Sequence, residues 1–413
     1  MPLKRIPTPT QDAGNWGTIL NDHLAQTQNP INGAFNSFDQ FSARPTNLTA
    51  DDAGRTYLYT QTGNWHEWSG SEWKVQNKSE INVKDYGAVG DGVADDTAVI
   101  QFCLDSYIGK CVFLPTGVYL IFKSLILPSR SIFRGSSTQG TVIRKNNNNP
   151  NSNGIRSVLV MQSKSDPLEY NSDSTVSEMF LNGGFEQSGT LVKNDYGIYA
   201  DKLSTFKLDR VWITNCNTGI YTSDCFLLFL SNVIISEASF GITILTGTSM
   251  SANTVYCVNC AVAYNLKSLR YSTFNSCATD GASYINYYFE NCQGITLNSC
   301  GAESGNTNGY CVYNTNNSNI IINAPFIVST ASYEKGIFFA QSNSKLIINN
   351  STMRLTNQLN KFVVAETNAT VTVDGLTNLA ANLVDSLSYS PVDRFTEITG
   401  GKINKPIKES IFV

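Results

Sequence analysis

The hydrophobic positions of this chain follow a 22-residue repeat in its second half. Gly-Ile-Tyr at 197–199 returns at 219–221 and, as Gly-Ile-Thr, at 241–243. Each of these segments is followed by a second apolar segment, and such pairs continue toward the C-terminus as FKLDRVWIT, LFLSNVIIS, NTVYCVNC, STFNSCATD, ITLNSCGAE, IIINAPFIV, LIINNSTMR and VTVDGLTN. Short strands at a fixed period, with no helix between them, are typical of a β-solenoid. Because one rung cannot bury its inner face alone, we expect about eight stacked rungs from about Tyr196 onward.

The second segments can be aligned, and the alignment predicts which residues are stacked. An apolar column, as expected of an inward-facing position, consists of Val211, Val233, Cys257, Cys277, Cys300 and Pro325. Further along the same segments, a second column consists of Thr214, Ser236, Cys260, Asp280, Glu303 and Val328. Because adjacent strands lie about 4.8 Å apart, Asp280 and Glu303 are predicted to be side-by-side neighbours on one sheet.

Residues 1–78 lack this repeat and are predicted to form a separate region. A helix is expected near Trp16 to Leu24, where apolar residues recur at helical spacing after a polar cap. TYLYTQTGNWHEWSGSEWKVQ alternates aromatic and polar residues around two Gly-containing turns, which predicts a small β-hairpin or meander. We expect its three tryptophans to form a hairpin core, with a sugar-stacking platform as the alternative; they are Trp65, Trp68 and Trp73.

A different pattern begins at Ile81 with INVKDYGAVGDGVADDTAVIQFCLDS, followed by CVFLPTGVYLI. It predicts short strands and a capping helix near 97–108. The apolar face of that helix would consist of Ile100, Cys103, Leu104 and Ile108. Three acids lie at the Gly-rich turn and helix start, where carboxylates accept hydrogen bonds from free backbone N–H groups. A structural role is therefore expected for Asp91, Asp95 and Asp96.

DYGAVGDGVADDTAVIQ followed by FLPTGVYL resembles the opening of the pectate-lyase-like superfamily of parallel β-helices. YNLKSLRYSTFNSCATDG and YYFENCQGITLNSCGAESG are similar to rungs of phage tailspikes and polysaccharide depolymerases. GNWGTILNDHL and the Trp-rich segment resemble the attachment regions of phage-tail fibres. The resemblance implies an all-β fold, with a right-handed parallel β-helix over 79–413 and an attachment region over 1–78. It also implies a homotrimer that stands on a tail or baseplate and binds, and often cleaves, a cell-surface polysaccharide.

Composition narrows the classes of partner. Charged residues make up only 15% of the chain and the net charge is −4, so no basic surface is offered to nucleic acid or an anionic membrane. No apolar run approaches the roughly 20 residues of a membrane helix, and the N-terminus lacks the apolar core of a secretory signal. We therefore expect synthesis in the cytoplasm and action on the surface of a virion or another extracellular particle.

The cysteines and histidines point away from metal or triad chemistry. Most of the ten cysteines lie in strand-like segments and are expected to be buried thiols. Cys257 and Cys260 have a zinc-type spacing, but no second CxxC and no histidine follows, so neither a metal nor a cofactor is expected. Both histidines, His23 and His66, precede the predicted β-helix, which argues against a Ser-His-Asp mechanism on it.

The carboxylates offer the candidate chemistry. Glycoside hydrolysis needs two of them, one to protonate the leaving oxygen and one to attack or to activate water, and Asp280 with Glu303 is the predicted pair. Further candidates for the same groove are Glu290 and Glu237. Arg270 and Tyr271 are candidates for substrate binding, or for lyase chemistry in which a base removes a proton beside a uronic carboxylate.

The simpler alternative is that Asp280 and Glu303 are two solvated acids with a Lys or Arg nearby. Four functions therefore stay open. The protein is a tailspike-type glycosidase, a polysaccharide lyase with the same fold, a fibre that binds glycan without turnover, or an architectural part of a phage tail or contractile injection system.

Overall fold

The computed structural model describes residues 37–75, 80–146, 154–161, 170–187, 190–303, 309–329, 336–355, 363–378, 396–399 and 402–404. The helix expected near Trp16 to Leu24 lies outside these residues. The described part of the chain is nearly all β, with one α-helix at Thr97–Ser106 and short 3₁₀ turns at Phe41–Ala43, Ala50–Asp52 and Val83–Tyr86. The all-β fold class predicted from the sequence is confirmed.

A small sheet opens the described chain, and its strands are Ser37–Phe38, Thr56–Tyr59, Asn64–Trp68 and Trp73–Val75. All other described strands belong to one parallel β-helix of about 12 turns, in which Gly184–Gln187 is paired antiparallel to the strand that follows it. They are Glu80–Asn82, Asp91–Asp95, Cys111–Leu114, Gly117–Ile121, Leu125–Leu127, Ile132–Gly135, Thr141–Lys145, Ser157–Met161, Asn171–Asn182, Gly184–Gln187, Thr190–Thr214, Cys216–Ser236, Phe240–Ile244, Gly247–Thr248, Ser251–Val258, Val262–Lys267, Leu269–Asn275, Ala278–Asp280, Ile285–Glu290, Gln293–Asn298, Gly301–Glu303, Tyr310–Thr315, Asn319–Asn323, Phe326–Ser329, Phe338–Ala340, Lys345–Leu355, Val363–Glu366, Thr370–Asn378, Thr396–Thr399 and Lys402–Asn404.

Each regular turn of the helix contributes to three sheets, here called A, B and C in chain order. Two successive rungs illustrate them: Val262–Lys267 and Ile285–Glu290 in sheet A, Leu269–Asn275 and Gln293–Asn298 in sheet B, and Ala278–Asp280 and Gly301–Glu303 in sheet C. Single residues with a left-handed backbone turn the chain between sheets, such as Ser268 at the A–B corner and Ser276 at the B–C corner. The three sheets therefore enclose one core and present three outer faces.

The predicted 22-residue repeat is confirmed by the register, which pairs Ile198 with Ile220 and Ile220 with Ile242. The glycine before each isoleucine is required by close packing. A Cβ on Gly219 would lie 2.4 Å from Ile235 Cγ2 and 2.8 Å from the carbonyl oxygen of Gly241. No side chain fits in that space, so the glycine recurs with the period of the rung.

Asparagine side chains connect five rungs at the end of sheet B. From the second rung onward, each amide nitrogen donates to the side-chain oxygen of the asparagine in the rung before it, at 2.8 to 2.9 Å. The ladder consists of Asn253, Asn275, Asn298, Asn323 and Asn349. Because each amide is both donor and acceptor, the stack satisfies its own hydrogen bonds and fixes the edge from which the chain enters sheet C.

One step of the predicted alignment was wrong. Val233 is paired with Val255 and Ser236 with Val258, so these valines occupy the places assigned to Cys257 and Cys260. The predicted alignment is shifted by two residues here, and a two-residue shift keeps side chains on the same face of a strand. Val255 and Cys257 are both buried, so apolar character could not tell them apart.

The β-helix also begins earlier than its regular repeat. Rungs precede Tyr196, but their spacing is irregular. Leu159 is paired with Leu125 in the rung before it and with Ile198 in the rung after it, and both intervals are much longer than the regular repeat.

The capping helix ends at Ser106, so Ile108 lies beyond it and is 46% exposed, contrary to the prediction. The rest of its predicted apolar face is buried as expected: Ile100, Cys103 and Leu104.

The small N-terminal sheet packs against the first rung. Asp85, a buried residue of the β-helix, accepts hydrogen bonds from Thr62 and from Asn64, the latter at 2.6 Å, and lies 3.5 Å from the ring nitrogen of His66. The antiparallel meander is as predicted, but its core is Phe38, Tyr59, His66 and Val75. Its tryptophans are only half-buried, contrary to the expectation of a Trp core.

Candidate functional site

Asp280 and Glu303 are direct neighbours in sheet C. The register pairs Asp280 with Glu303, Asp280 also with Val258, and Glu303 also with Val328. Thr279 and Ala302, which precede the two acids, are buried, whereas Asp280 is half-buried and Glu303 is exposed. Since side chains alternate between the faces of a strand, both carboxylates project from the outer face, one rung apart. The predicted juxtaposition is confirmed.

The outer face beside the pair is shaped by residues of very different size. Ala278 and Gly301 precede the acids on the same face of the same strands. Their neighbours in the preceding and following rungs are Tyr256 and Phe326, and Phe326 is 41% exposed. Small residues between two aromatic ones leave a shallow depression along the two carboxylates. A Cβ on Gly301 would meet nothing closer than 3.5 Å, so the depression has room for more than a glycine.

Among the described residues, Tyr256 provides a polar contact to the pair. Its hydroxyl donates to Asp280 Oδ2 at 3.3 Å. Burial, followed by the negative charges of Asp280 and Glu303, raises the pKa of Tyr256, so that its hydroxyl stays a proton donor near neutral pH. In the observed register Tyr256 lies beside Ala278, two residues before Asp280 on the same face. The predicted alignment was shifted at this rung, so it did not place Tyr256 near the pair.

No cation compensates the pair within the described part of the chain. Neither Asp280 nor Glu303 forms an ion pair with a described Lys or Arg. The solvated-acid alternative expected a Lys or Arg nearby, and no such ion pair is seen among the described residues. Two adjacent carboxylates without a counter-ion repel each other, so the pair does not stabilise the fold by ion pairing.

Glu237 lies on the same edge of the β-helix but not in the same column. It follows Ser236 with a left-handed backbone, and its carboxylate accepts a 2.7 Å hydrogen bond from Asn259. Its backbone N–H bonds to Val258, and that of Asn259 bonds to Asp280. Glu237 therefore lies two rungs, or about 10 Å, before Asp280 and is not a direct neighbour of the pair.

Glu290 is in a different place from the one predicted. It ends a strand of sheet A, so the full width of sheet B, about 20 Å for six residues, separates it from Glu303. Its carboxylate lies 2.9 Å from Lys267 Nζ and accepts hydrogen bonds from Tyr288 and Asn316, both at 3.1 Å. The Lys267 ammonium, with these two donors, holds the pKa of Glu290 below its usual value. Glu290 is not a third carboxylate beside the pair.

Arg270 and Tyr271 accompany Glu290 rather than the pair. They lie at the start of sheet B, just after the A–B corner at Ser268. Tyr271 is 74% exposed and has φ 49°, in the left-handed region. The six predicted residues thus divide into one group on sheet C and its edge and another at the A–B corner.

Other candidate groups serve the fold. Asp96 accepts hydrogen bonds from the backbone N–H groups of Val89 and Gly90, and Asp91 from those of Val93 and Ala94, as expected. None of the ten cysteines, all of which lie in the described part of the chain, forms a disulfide, and all are buried except Cys111, which is partly so. Among the described residues, no group of three His, Cys, Asp or Glu is arranged to hold a metal ion, and no helix is long and apolar enough to cross a membrane.

Solved structures with this fold include phage tailspikes. The tailspike gp42 of Acinetobacter phage vb_AbaP_AS12 matches 90% of this chain and 75% of its own, with a TM-score of 0.74 and 15% identity. The tailspike gp49 of Acinetobacter baumannii bacteriophage Fri1, a capsular polysaccharide depolymerase, matches 91% of this chain and 77% of its own, with a TM-score of 0.54 and 12% identity. At these identities the likeness establishes the fold.

Similarity in sequence to curated relatives is local. The preneck appendage protein of Bacillus phage PZA is 34% identical over 64 residues, which is 16% of this chain and 7% of the relative. A family model described as rhamnogalacturonase A/epimerase, pectate lyase-like, matches residues 80–296. That span includes Tyr256 and Asp280 and ends before Glu303. Because it covers more than half of the chain, this protein belongs to the rhamnogalacturonase A/epimerase, pectate lyase-like family.

Proposed function

We propose that this protein is a tailspike-type component of a phage or phage-tail-like particle that binds and hydrolyses a cell-surface polysaccharide. The observation that carries the proposal is the Asp280–Glu303 pair: two carboxylates one strand apart, facing outward, without a counter-ion among the described residues. The shared fold of depolymerising tailspikes supports the choice of a polysaccharide as substrate.

The surroundings favour a division of roles between the two acids. The Tyr256 hydroxyl donates to Asp280, and such a donor suits an ionised carboxylate. Asp280 is therefore assigned as the nucleophile and Glu303, which has no such donor among the described residues, as the acid that protonates the leaving oxygen. Adjacent strands lie about 4.8 Å apart, close to the roughly 5–5.5 Å between the carboxyl groups of retaining glycosidases. The proposal therefore includes retention of anomeric configuration.

Measuring cleavage of purified surface polysaccharide from the particle's host tests this assignment. Asp280→Asn keeps the shape and most hydrogen bonding, and we expect the rate of reducing-end release to fall about 10²–10⁴-fold. Asp201→Asn, which changes a partly exposed carboxylate three rungs earlier, is the matched control and is expected to cleave at the wild-type rate. Proton NMR of the first product distinguishes retention from inversion.

Other outcomes select the alternatives. Unsaturated uronic ends in the product would indicate a lyase. Binding without cleavage by the wild type would indicate a receptor-binding fibre, and neither binding nor cleavage would leave an architectural role in a tail or injection particle. Equal cleavage by wild type and Asp280→Asn would remove the pair from the mechanism.

Two assembly proposals accompany the enzymatic one. We propose a homotrimer on the surface of the virion, attached to a tail or baseplate component through residues 1–78. Light scattering of the full chain at micromolar concentration should give three times the 45.3 kDa protomer mass. Removal of residues 1–78 should abolish incorporation into particles while leaving polysaccharide cleavage intact. It should also lower thermal stability, because Asp85 loses three partners.

A further inference from the structure

The A–B corner of the two rungs that carry the carboxylate pair forms a second polar site. An open cleft of about 540 Å³ lies there, and its lining includes Lys267, Ser268, Glu290, Asn291 and Asn316. That volume is in the range of ligand-binding clefts. The wall is held in place by its own contacts: Glu290 is bound by Lys267 and Asn316, and Asn291 donates to Ser268 at 3.0 Å.

These wall residues retain capacity for a ligand. An ammonium has three donors, and Lys267 uses one of them on Glu290. The amide oxygen of Asn291 has no donor within the described chain, and that of Asn316 has only the hydroxyl of Thr315, at 3.5 Å. Alternating donors and acceptors on a rigid wall match the hydroxyl groups of a sugar better than an apolar ligand or a metal ion.

Tyr271 adds an aromatic surface to this corner. Its left-handed backbone belongs to the fold, because the aligned residues of other rungs adopt it too; they are Thr205, Leu227, Ser249 and Gly294. A bulky side chain is unfavourable there, and serine and glycine show that the fold does not need one. Yet Tyr271 is 74% exposed, and only glycine lies beside its ring in the following rung, where an added Cβ would be 3.5 Å from the Cδ1 atom. The ring face is therefore accessible to a flat ligand.

Arg270 supplies a positive charge next to that ring. It is exposed and forms no ion pair with any described residue, whereas Lys267 is already neutralised by Glu290. The strand from Ser268 to Tyr271 is about 10 Å long, so a short oligosaccharide could span from the cleft to the ring.

We infer that this corner is a second, non-catalytic glycan site, in which Tyr271 stacks on a sugar ring, Arg270 pairs with a carboxylated sugar, and the cleft binds its neighbour. The inference rests on the proposed function for its choice of a polysaccharide. The site is separated from Asp280 and Glu303 by the width of sheet B, so one polymer chain can be held at the corner while another segment is cleaved at the pair.

A printed array of purified bacterial capsular and O-antigen polysaccharides, with every acidic polymer also printed in carboxyl-reduced form, tests this site. The protein carries Asp280→Asn so that turnover does not remove the ligand. In that background, Tyr271→Asn removes the ring but keeps a residue that tolerates the left-handed backbone. We expect it to lose affinity by roughly tenfold or more, as when an aromatic anchor is truncated.

Matched variants separate binding from folding. Leu227→Asn makes the same change at the aligned position two rungs earlier and is expected to bind normally, as is Tyr271→Phe, which keeps the ring. Arg270→Gln should weaken binding to acidic polymers and leave binding to their carboxyl-reduced forms unchanged.

The possible failures are distinguishable. If Tyr271→Asn binds as tightly as Leu227→Asn, the second site is overturned while the proposed function stands. If the protein with Asp280→Asn as its only change binds no printed glycan, both are overturned. If Arg270→Gln loses affinity equally for acidic polymers and for their carboxyl-reduced forms, the acidic specificity is overturned.

Discussion

Glu303 and Glu290 belong to the same rung, on opposite sides of sheet B, and their carboxylates have opposite surroundings. Glu290 is bound by a lysine, a tyrosine and an asparagine. Glu303 has another carboxylate as its neighbour and no cation among the described residues. One arrangement lowers the energy of a fixed negative charge, whereas the other places two carboxylates side by side without a cation.

Whether a carboxylate has a counter-ion depends on its neighbours in the adjoining rungs and not on its position in the repeat. Both glutamates end a strand and both project outward. Their difference is the residue one rung before, Lys267 for Glu290 and Asp280 for Glu303.

The largest effect is expected from removing each glutamate's charge. Glu303→Gln should lower kcat about 10²–10⁴-fold, because it removes the proposed acid. Glu290→Gln should raise KM and leave kcat near wild type, because it affects binding in ground and transition state alike. Initial rates of reducing-end release over a range of polysaccharide concentrations measure both. The opposite result would exchange the roles of the two sides.

A glycine beside the pair can be compared with a glycine of sheet A that is tightly packed. Gly219→Ala forces a Cβ against Ile235 and a backbone carbonyl, and should destabilise the fold by about 1–3 kcal/mol. Gly301→Ala meets no atom closer than 3.5 Å and should leave stability unchanged. Urea unfolding compares them. A large loss of stability in Gly301→Ala would show that the depression beside Glu303 is already filled.

The asparagine ladder lies at the end of sheet B, between Glu290 and Glu303. Breaking it should have an intermediate effect on the stability of the fold. Asn298 donates to Asn275 and accepts from Asn323, so Asn298→Ala breaks two partly exposed hydrogen bonds and should cost about 1 kcal/mol. Thermal unfolding measures this beside Thr296→Ala, a truncation on the same face of the same strand outside the ladder. Equal midpoints in the two variants would mean that the backbone alone fixes the B–C corner.

The smallest effect is expected at the Lys267–Glu290 pair. Its contribution to stability should be below about 1 kcal/mol, because both side chains are partly solvated. The folded pKa of Glu290 is below its ordinary 4.5, so this contribution is present above pH 4.5 and is lost as pH falls through the folded pKa. Lys267→Met should therefore lower stability at pH 7 and not at pH 2 in urea unfolding. A deficit that persists in acid would indicate lost packing instead.

Much of this fold follows from the sequence because the repeat is physical. Gly197, Gly219 and Gly241 recur since no side chain fits against the next rung, and this fixes the register of these three rungs of sheet A. The rungs before Tyr196 could not be counted, because the long intervals from Leu125 to Leu159 and from there to Ile198 conceal the period.

The candidate site was predictable only within regular rungs. Asp280 and Glu303 were identified because they end two similar segments that follow each other at one repeat length. Glu290 was misplaced because the left-handed corners, which decide the face a residue lies on, are formed here by serine and asparagine rather than by a recognisable turn motif. Tyr256 and Lys267 could be identified as neighbours of Asp280 and Glu290 only with the correct register of both strands.

The connections from sheet C to the next strand of sheet A lengthen past the carboxylate pair. They comprise 259–261, then 281–284 and then 304–309, while sheet A keeps its register. This edge can therefore accept insertions without displacing a strand, as the interior cannot. Under the proposed function, loop exchange at this edge would change the recognised polymer while the paired acids keep their positions on the scaffold.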